Sequence, residues 1–188
     1  MRYLKLFESF EYIDKICREY DIENYTINSD GTIDVNENVS FFNNRLIKIP
    51  LTFNKINGFF SCSYNQLISL EGSPTEVNGY FYCDNNKIKS FEYAPRIIRG
   101  DFVFECNNIK SFEYFPSYVK GDFWCNNNPI YEVWKLFYDT SKIELLNDFD
   151  IFRDEDTDEP VIVMDRLNDF LLTISKPTVE KVDGYKNI

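Results

Sequence analysis

The side chains able to carry chemistry in this chain are its 5 cysteines and 31 carboxylates, because its 188 residues include no histidine. A Ser-His-Asp or Cys-His nucleophile, a histidine general base and a histidine-ligated zinc are thereby excluded. Cys62 and Cys83 stand 21 residues apart, so a shared metal or a disulfide comes into question if the chain coils with that period. Each holds an apolar position that Phe104 fills one repeat later, and the simpler reading is a small core residue. Cys106 falls outside that pattern and has no histidine to activate it. The run Arg153-Asp154-Glu155-Asp156-Thr157-Asp158-Glu159 gathers carboxylates as a hard cation requires, but it lacks the D-x-[DN]-x-[DN]-G spacing and distal glutamate of an EF-hand loop. It reads as a solvated loop or as an electrostatic contact for a basic partner. No carboxylate pair is singled out for glycoside chemistry. The expectation is a protein with no catalytic residue, metal or cofactor.

Charge and composition narrow the partners. A net charge of −11 and a pI near 4.5 oppose any direct grip on a phosphate backbone, so nucleic acid is not the expected ligand. An odd number of cysteines, in a chain large enough to build its own core, argues for a reducing compartment, and the expected location is the cytoplasm. Arg2, Lys5 and Glu8 interrupt the apolar residues of Met1 to Phe10, and no later run approaches the ~18 apolar residues of a membrane span. A soluble protein that is neither exported nor membrane-bound is expected.

An internal repeat must position these residues. Gly58, Gly79, Gly100 and Gly121 recur every 21 residues. Two places after each come Phe60, Phe81, Phe102 and Phe123, and two further on Cys62, Cys83, Phe104 and Cys125. Asn65, Asn86, Asn107 and Asn128 follow, then Leu67, Ile88, Ile109 and Ile130, then Leu70, Phe91, Phe112 and Val133. Pro74, Pro95 and Pro116 precede Val77, Ile98 and Val119, and Val39, Phe41, Asn44, Leu46, Ile49 and Ile56 supply an earlier, degenerate unit. The alternation after each glycine predicts a short strand with Phe and Cys inward. The asparagine amide is placed to serve backbone groups of adjacent coils. So short a period leaves no room for a full return helix, and an extended or 3₁₀ return leg is expected.

This spacing resembles the leucine-rich repeat pattern L-x-x-L-x-L-x-x-N-x-L-x-x-L, with Phe, Cys and Ile replacing several leucines. The coil GYFYCDNNKIKSFEYAP, the lead-in YTINSDGTIDVN, the tail MDRLNDFL and the opening MRYLKLFESF resemble leucine-rich repeat proteins encoded by tailed bacteriophages. The resemblance implies a fold and a phage source, and it brings no catalytic residue. The expected fold is a mainly β solenoid of about five short coils over residues 37–137, with a helix-plus-hairpin cap at 1–36 and an acidic helical cap at 138–188.

In the N-terminal cap, Leu4, Phe7, Phe10 or Glu11, Ile13, Ile16 or Cys17, and Tyr20 lie near one helical stripe. Tyr25, Ile27, Ile33 and Val35 alternate around Asp30-Gly31, a hairpin signal that would shield the first coil's edge. Beyond the repeats, helices are predicted over 130–138, with Ile130, Val133, Trp134 and Phe137 on one face, and near 141–149 and 161–174. From Asp139 onward acidic residues outnumber basic ones 13 to 6, which places −7 of the total charge there.

The outward strand positions are the candidate site, because in a solenoid they align into one face. Phe59, Tyr80, Asp101 and Asp122 follow the glycines directly; Ser61, Tyr82, Val103 and Trp124 come two places later, and Ser63, Asp84, Glu105 and Asn126 two later again. Solvation alone would not select Phe59, Tyr80, Tyr82 and Trp124, whereas aromatic anchors ringed by polar groups are what protein interfaces use. The competing reading is that caps cover these rings or that they serve as cross-strand pairs. The expected binding residues are Phe59, Tyr80, Tyr82, Asp84, Asp101, Val103, Glu105, Asp122 and Trp124. The expected partner is a protein with a basic patch, in a host cell if the phage resemblance applies, blocking a defence or nucleic-acid-binding factor. A minor virion or assembly protein and a carbohydrate-binding module remain the alternatives.

Overall fold

Five short strands follow the repeated glycines or their earlier equivalent: β3 (Val39–Ser40), β5 (Phe60–Ser61), β7 (Phe81–Tyr82), β9 (Phe102–Val103) and β11 (Phe123–Trp124). They belong to a computed structural model that describes the backbone of residues 2–153 and 160–188, with side chains from Phe10 onward within those ranges. The strands pair in parallel, Phe60 opposite Phe81, Phe81 opposite Phe102 and Phe102 opposite Phe123, into one five-stranded sheet. The residues just ahead of the glycines form a second parallel series, β4 (Phe53–Ile56), β6 (Glu76–Val77), β8 (Ile97–Ile98) and β10 (Tyr118–Val119). The hairpin β1 (Tyr25–Ile27) and β2 (Ile33–Val35) extends it to six strands through parallel pairing of β2 with β4. The fold of the described residues is thus of α/β type, with parallel sheets of several strands, few helices and no closed barrel. The return leg, expected as extended or 3₁₀ backbone, is extended and carries a sheet of its own.

Side-chain size and polarity account for this register. Phe60, Phe81 and Phe102 are fully buried and Phe123 nearly so, with successive ring centroids 5.5, 5.6 and 5.4 Å apart between the two sheets. Cys62, Cys83 and Cys125 are buried free thiols, and burial pushes all three well above the usual thiol range. At each turn out of the strand the asparagine amide serves two units at once. Asn107 accepts from the Ile88 N–H and donates to the carbonyls of Cys83, Phe104 and Glu105, and Asn65, Asn86 and Asn128 make the equivalent bonds. These donors and acceptors have no water to turn to, so the amide replaces a ladder that the turn interrupts. The glycine column marks the tightest corner: a Cβ on Gly79 would stand 2.7 Å from the Gly58 carbonyl oxygen, and one on Gly100 2.7 Å from Gly79.

The ends are closed differently. Helix α1 (Arg2–Glu19) buries Ile13 and Cys17, and Tyr20 meets the Phe41 ring edge-on at 4.7 Å. Gly31, with φ +86°, turns the hairpin, while the Asp30 carboxylate accepts from the Thr32 N–H and hydroxyl. At the far end α2 (Tyr131–Trp134) sets Trp134 edge-on against Phe123 at 5.3 Å. A 3₁₀ turn (Thr140–Lys142) leads into α3 (Ile143–Asp148), and α4 (Met164–Thr173) follows.

The helix expected over 161–174 needs correction. Val161–Ile162 is a strand, β13, paired antiparallel with β12 (Phe152–Arg153) and parallel with β14 (Lys186–Asn187), and the helix starts only at Met164. The β-branched run Val161-Ile162-Val163 after Pro160 favours extended backbone and delays the helix. The helix expected over 130–138 is likewise only four residues long, followed by turns. Residues 154–159 of the acidic run lie outside the described residues. No helix among the described residues is long and apolar enough to cross a membrane.

Candidate functional site

The in-register pairing lines up the outward positions of the five-stranded sheet in rows. Ser40, Ser61, Tyr82, Val103 and Trp124 form the central row. Phe59, Tyr80, Asp101 and Asp122 flank it on the glycine side, and Ser63, Asp84, Glu105 and Asn126 on the side of the turn. At about 4.8 Å per strand the face spans roughly 19 Å.

The aromatic residues gather at the middle strands. Tyr80 lies 5.8 Å from Tyr82, and Phe59 meets Tyr82 at 6.2 Å with the rings 72° apart. Tyr80 remains 45% exposed, while Phe59 and Tyr82 are half-buried against one another. Burial pushes the Tyr82 phenol above its usual range, and Tyr80, Asp101 and Asp84 add to the shift, so the hydroxyl stays neutral and can donate. Trp124 stands apart on the last strand, 47% exposed. Val103 is half-buried between the two.

The four acidic residues are not equivalent. Asp84 accepts from the Ser63 hydroxyl and from the Asn85 amide at 2.8 Å. Glu105 accepts from the Asn126 amide at 2.5 Å, and Asp101 accepts from the Asp122 N–H at 2.9 Å. These three carboxylates are held by neighbouring strands. Asp122 is exposed and makes no ion pair among the described residues.

All nine sequence-selected residues therefore share one face, but the face has relief that the sequence pattern does not convey. At one end Ser61 and Ser63 are buried at the floor of a hollow of about 300 Å³, walled by Phe42, Phe59 and Tyr82. Phe42, exposed and 5.2 Å from Tyr64, was missed because it sits past the strand. The sequence signal was in the next column, where Asn43, Asn85 and Asn127 recur in register with Tyr64 and Cys106: asparagine tolerates the positive φ that all five adopt, which marks a turn beside Phe42. At the other end a hollow of about 680 Å³ opens between β11 and the residues after it, lined among others by Trp124, Tyr131, Tyr138 and Asp139. Tyr131 and Tyr138 were missed as well: a helix over 130–138 would put both on the flank of the inward stripe, but the helix ends at Trp134 and Tyr138 takes a φ of +49° beyond it.

No cluster of three or more metal-ligating side chains occurs among the described residues. Three of the five thiols are sealed in the sheet core and a fourth, Cys17, sits on the buried face of α1 with its thiol pushed up to about 11 by burial. The arrangement can present rings, carboxylates and hydroxyls to a second surface. No family model, no curated protein and no solved structure matches the chain.

Proposed function

We propose that this chain is a leucine-rich-repeat-like solenoid of 21-residue coils and acts as a non-catalytic protein-binding module, docking the outward face of its five-stranded sheet onto a basic, partly apolar patch of another protein. The observation that carries this reading is the in-register face itself, where exposed Tyr80 and Trp124 and half-buried Phe59 and Tyr82 stand beside Asp101 and Asp122. Burying such rings slows dissociation, while a net charge of −11 draws a basic partner in and raises the association rate. The same charge opposes single-stranded nucleic acid, which needs a positive groove around its stacking residues. Under the resemblance to phage-encoded repeat proteins, the partner is a host protein whose basic nucleic-acid-binding surface this acidic face covers.

The double variant Tyr82→Ala/Trp124→Ala tests the reading. Affinity-tagged protein should capture a stoichiometric basic partner at low salt and less of it at moderate salt. The variant should capture at least about tenfold less, as expected when anchor residues are truncated, with its melting temperature nearly unchanged. Collapse of the fold would show these rings to be core, and capture of no partner at either salt would remove the reading. Recovery of the protein in purified phage particles would favour the assembly role instead.

A further inference from the structure

We infer that the hollow beside β11 is the seat of one arginine side chain presented by the protein partner, an inference that rests on the protein-binding reading above. Its walls combine two features that select a planar cation. Trp124, Tyr131 and Tyr138 supply aromatic rings, and Asp122 and Asp139 supply carboxylates, while no lysine or arginine among the described residues lines the hollow. A cation over an aromatic face is attracted by the ring's negative π cloud, and a guanidinium also stacks flat and reaches a carboxylate with paired N–H groups.

The rings are held ready. Tyr138 is 59% exposed, its ring is set edge-on to buried Trp134 at 5.8 Å, and its hydroxyl shares a hydrogen bond of 3.2 Å with that of Tyr131. That bond, more than burial, keeps the Tyr138 phenol above its usual range and so uncharged.

The two carboxylates contribute unequally. Asp139 caps the following 3₁₀ turn, where one of its oxygens accepts both the Ser141 N–H at 2.9 Å and the Ser141 hydroxyl at 2.6 Å. Those bonds hold its carboxyl below the usual range, with smaller help from Lys142 and Lys176. Its other oxygen takes part in no hydrogen bond among the described residues, and the nearby lysines weaken its pull on a further cation. The Asp122 carboxylate accepts no hydrogen bond and makes no ion pair among the described residues, and it supplies the main attraction. The hollow at the opposite end of the face differs on this point: its one carboxylate, Asp84, is already held by Ser63 and Asn85. A neutral sugar could stack on the same rings and donate its hydroxyls to the carboxylates, but it would leave their charge in place, whereas a guanidinium neutralises it.

The test uses the full chain, labelled with nitrogen-15, and two probes: acetyl-Gly-Arg-Gly-amide and its citrulline counterpart, which has nearly the same shape without the charge. The indole N–H resonance of Trp124, assigned by its loss in Trp124→Phe, should shift saturably with the arginine peptide and not with the citrulline peptide. Asp122→Asn should raise the half-saturation concentration about threefold, and added salt should raise it further. Asp122 is an exposed residue, so the rest of the spectrum should stay in place. Equal response to both peptides, response to neither, or response to methyl β-glucoside in place of arginine would overturn the seat. Tyr80→Ala/Tyr82→Ala, remote from the hollow, keeps the two readings separable. Lost partner capture in that variant, combined with no arginine response in the parent chain, overturns the seat alone. Retained capture combined with an arginine response overturns the strand-face reading and supports the seat.

Discussion

The repeated region and the segment after Asp139 both bury aromatic and aliphatic cores, yet they assemble them in opposite ways. In the repeats the strand residues and glycines meet their own counterparts 21 positions away, as when Phe81 faces Phe102, and each asparagine amide repeats the same reach to the preceding unit, as from Asn86 to the Cys62 carbonyl 24 positions earlier. One choice of residue is thus reused at each level. The later segment relies on contacts that occur once. Tyr185 donates to the Lys110 carbonyl at 2.8 Å, Asn147 donates to the Phe112 carbonyl at 3.1 Å, and Phe152 packs against both Phe112 and Tyr185. Periodic contacts concentrate the cost of an error at the units that share it, while single contacts spread stability over bonds of ordinary worth.

The largest expected effect lies in the asparagine column. Asn107→Ala leaves the buried Ile88 N–H and several buried carbonyls without their shared partner, and should cost about 3–5 kcal/mol in urea unfolding. Asn44→Ala, at the exposed first position with one side-chain bond to the Phe42 carbonyl, should cost less than about 0.5 kcal/mol. Equal losses at the two positions would mean that the column does not work by serving neighbouring units.

Glycines sharpen the same contrast. Gly100→Ala forces a Cβ to within 2.7 Å of the Gly79 backbone and should cost about 2–3 kcal/mol. Gly184→Ala meets nothing within 4 Å and is opposed only by its φ of +79°, so about 1 kcal/mol is expected. A reversed order in their melting temperatures would refute the close stacking of the repeats. Of the same size as Gly184→Ala, Tyr185→Phe removes one hydrogen bond and should cost about 1 kcal/mol, without altering the repeat core.

At neutral pH the thiols should leave stability unchanged and instead report access. Of the five, Cys106 is the one that is not buried, so native protein should release about one equivalent of a thiol reagent quickly and five in denaturant. Above pH 9 the balance changes. Cys62, Cys83 and Cys125 keep their protons in the folded state, whereas unfolded thiols ionise near 9.0. The unfolded state then binds fewer protons, and stability falls as pH rises from about 9. A urea midpoint that stays level between pH 8 and pH 10 would contradict the sealed core.

The strand parity, and with it the membership of the outward face, was legible in the sequence. Alternation placed Phe60, Phe81, Phe102 and Phe123 inward, and that placement forced Tyr80, Tyr82 and Trp124 to the other side. The asparagine's service to adjacent units followed from its fixed place at the turn. Less legible was the pairing of β12, β13 and β14, because strands of two residues carry too little pattern to specify partners and the β-branched run at Val161 sits directly beside a helical stripe. The hollows at the two ends of the face were also hidden, since Phe42 and Tyr138 belong to segments outside the strand alternation.

The 21-residue recurrence was sufficient to dictate which side chains stack on which, because a residue and its partner stand at one constant separation along the chain. Only tertiary structure decided that the return leg forms a sheet, that Asp84 is tied down while Asp122 is not, and that Trp124, Tyr131 and Tyr138 wall a common hollow. Those outcomes depend on how non-repeating segments fold back against the stack, and their energies come from contacts between residues that no local pattern relates.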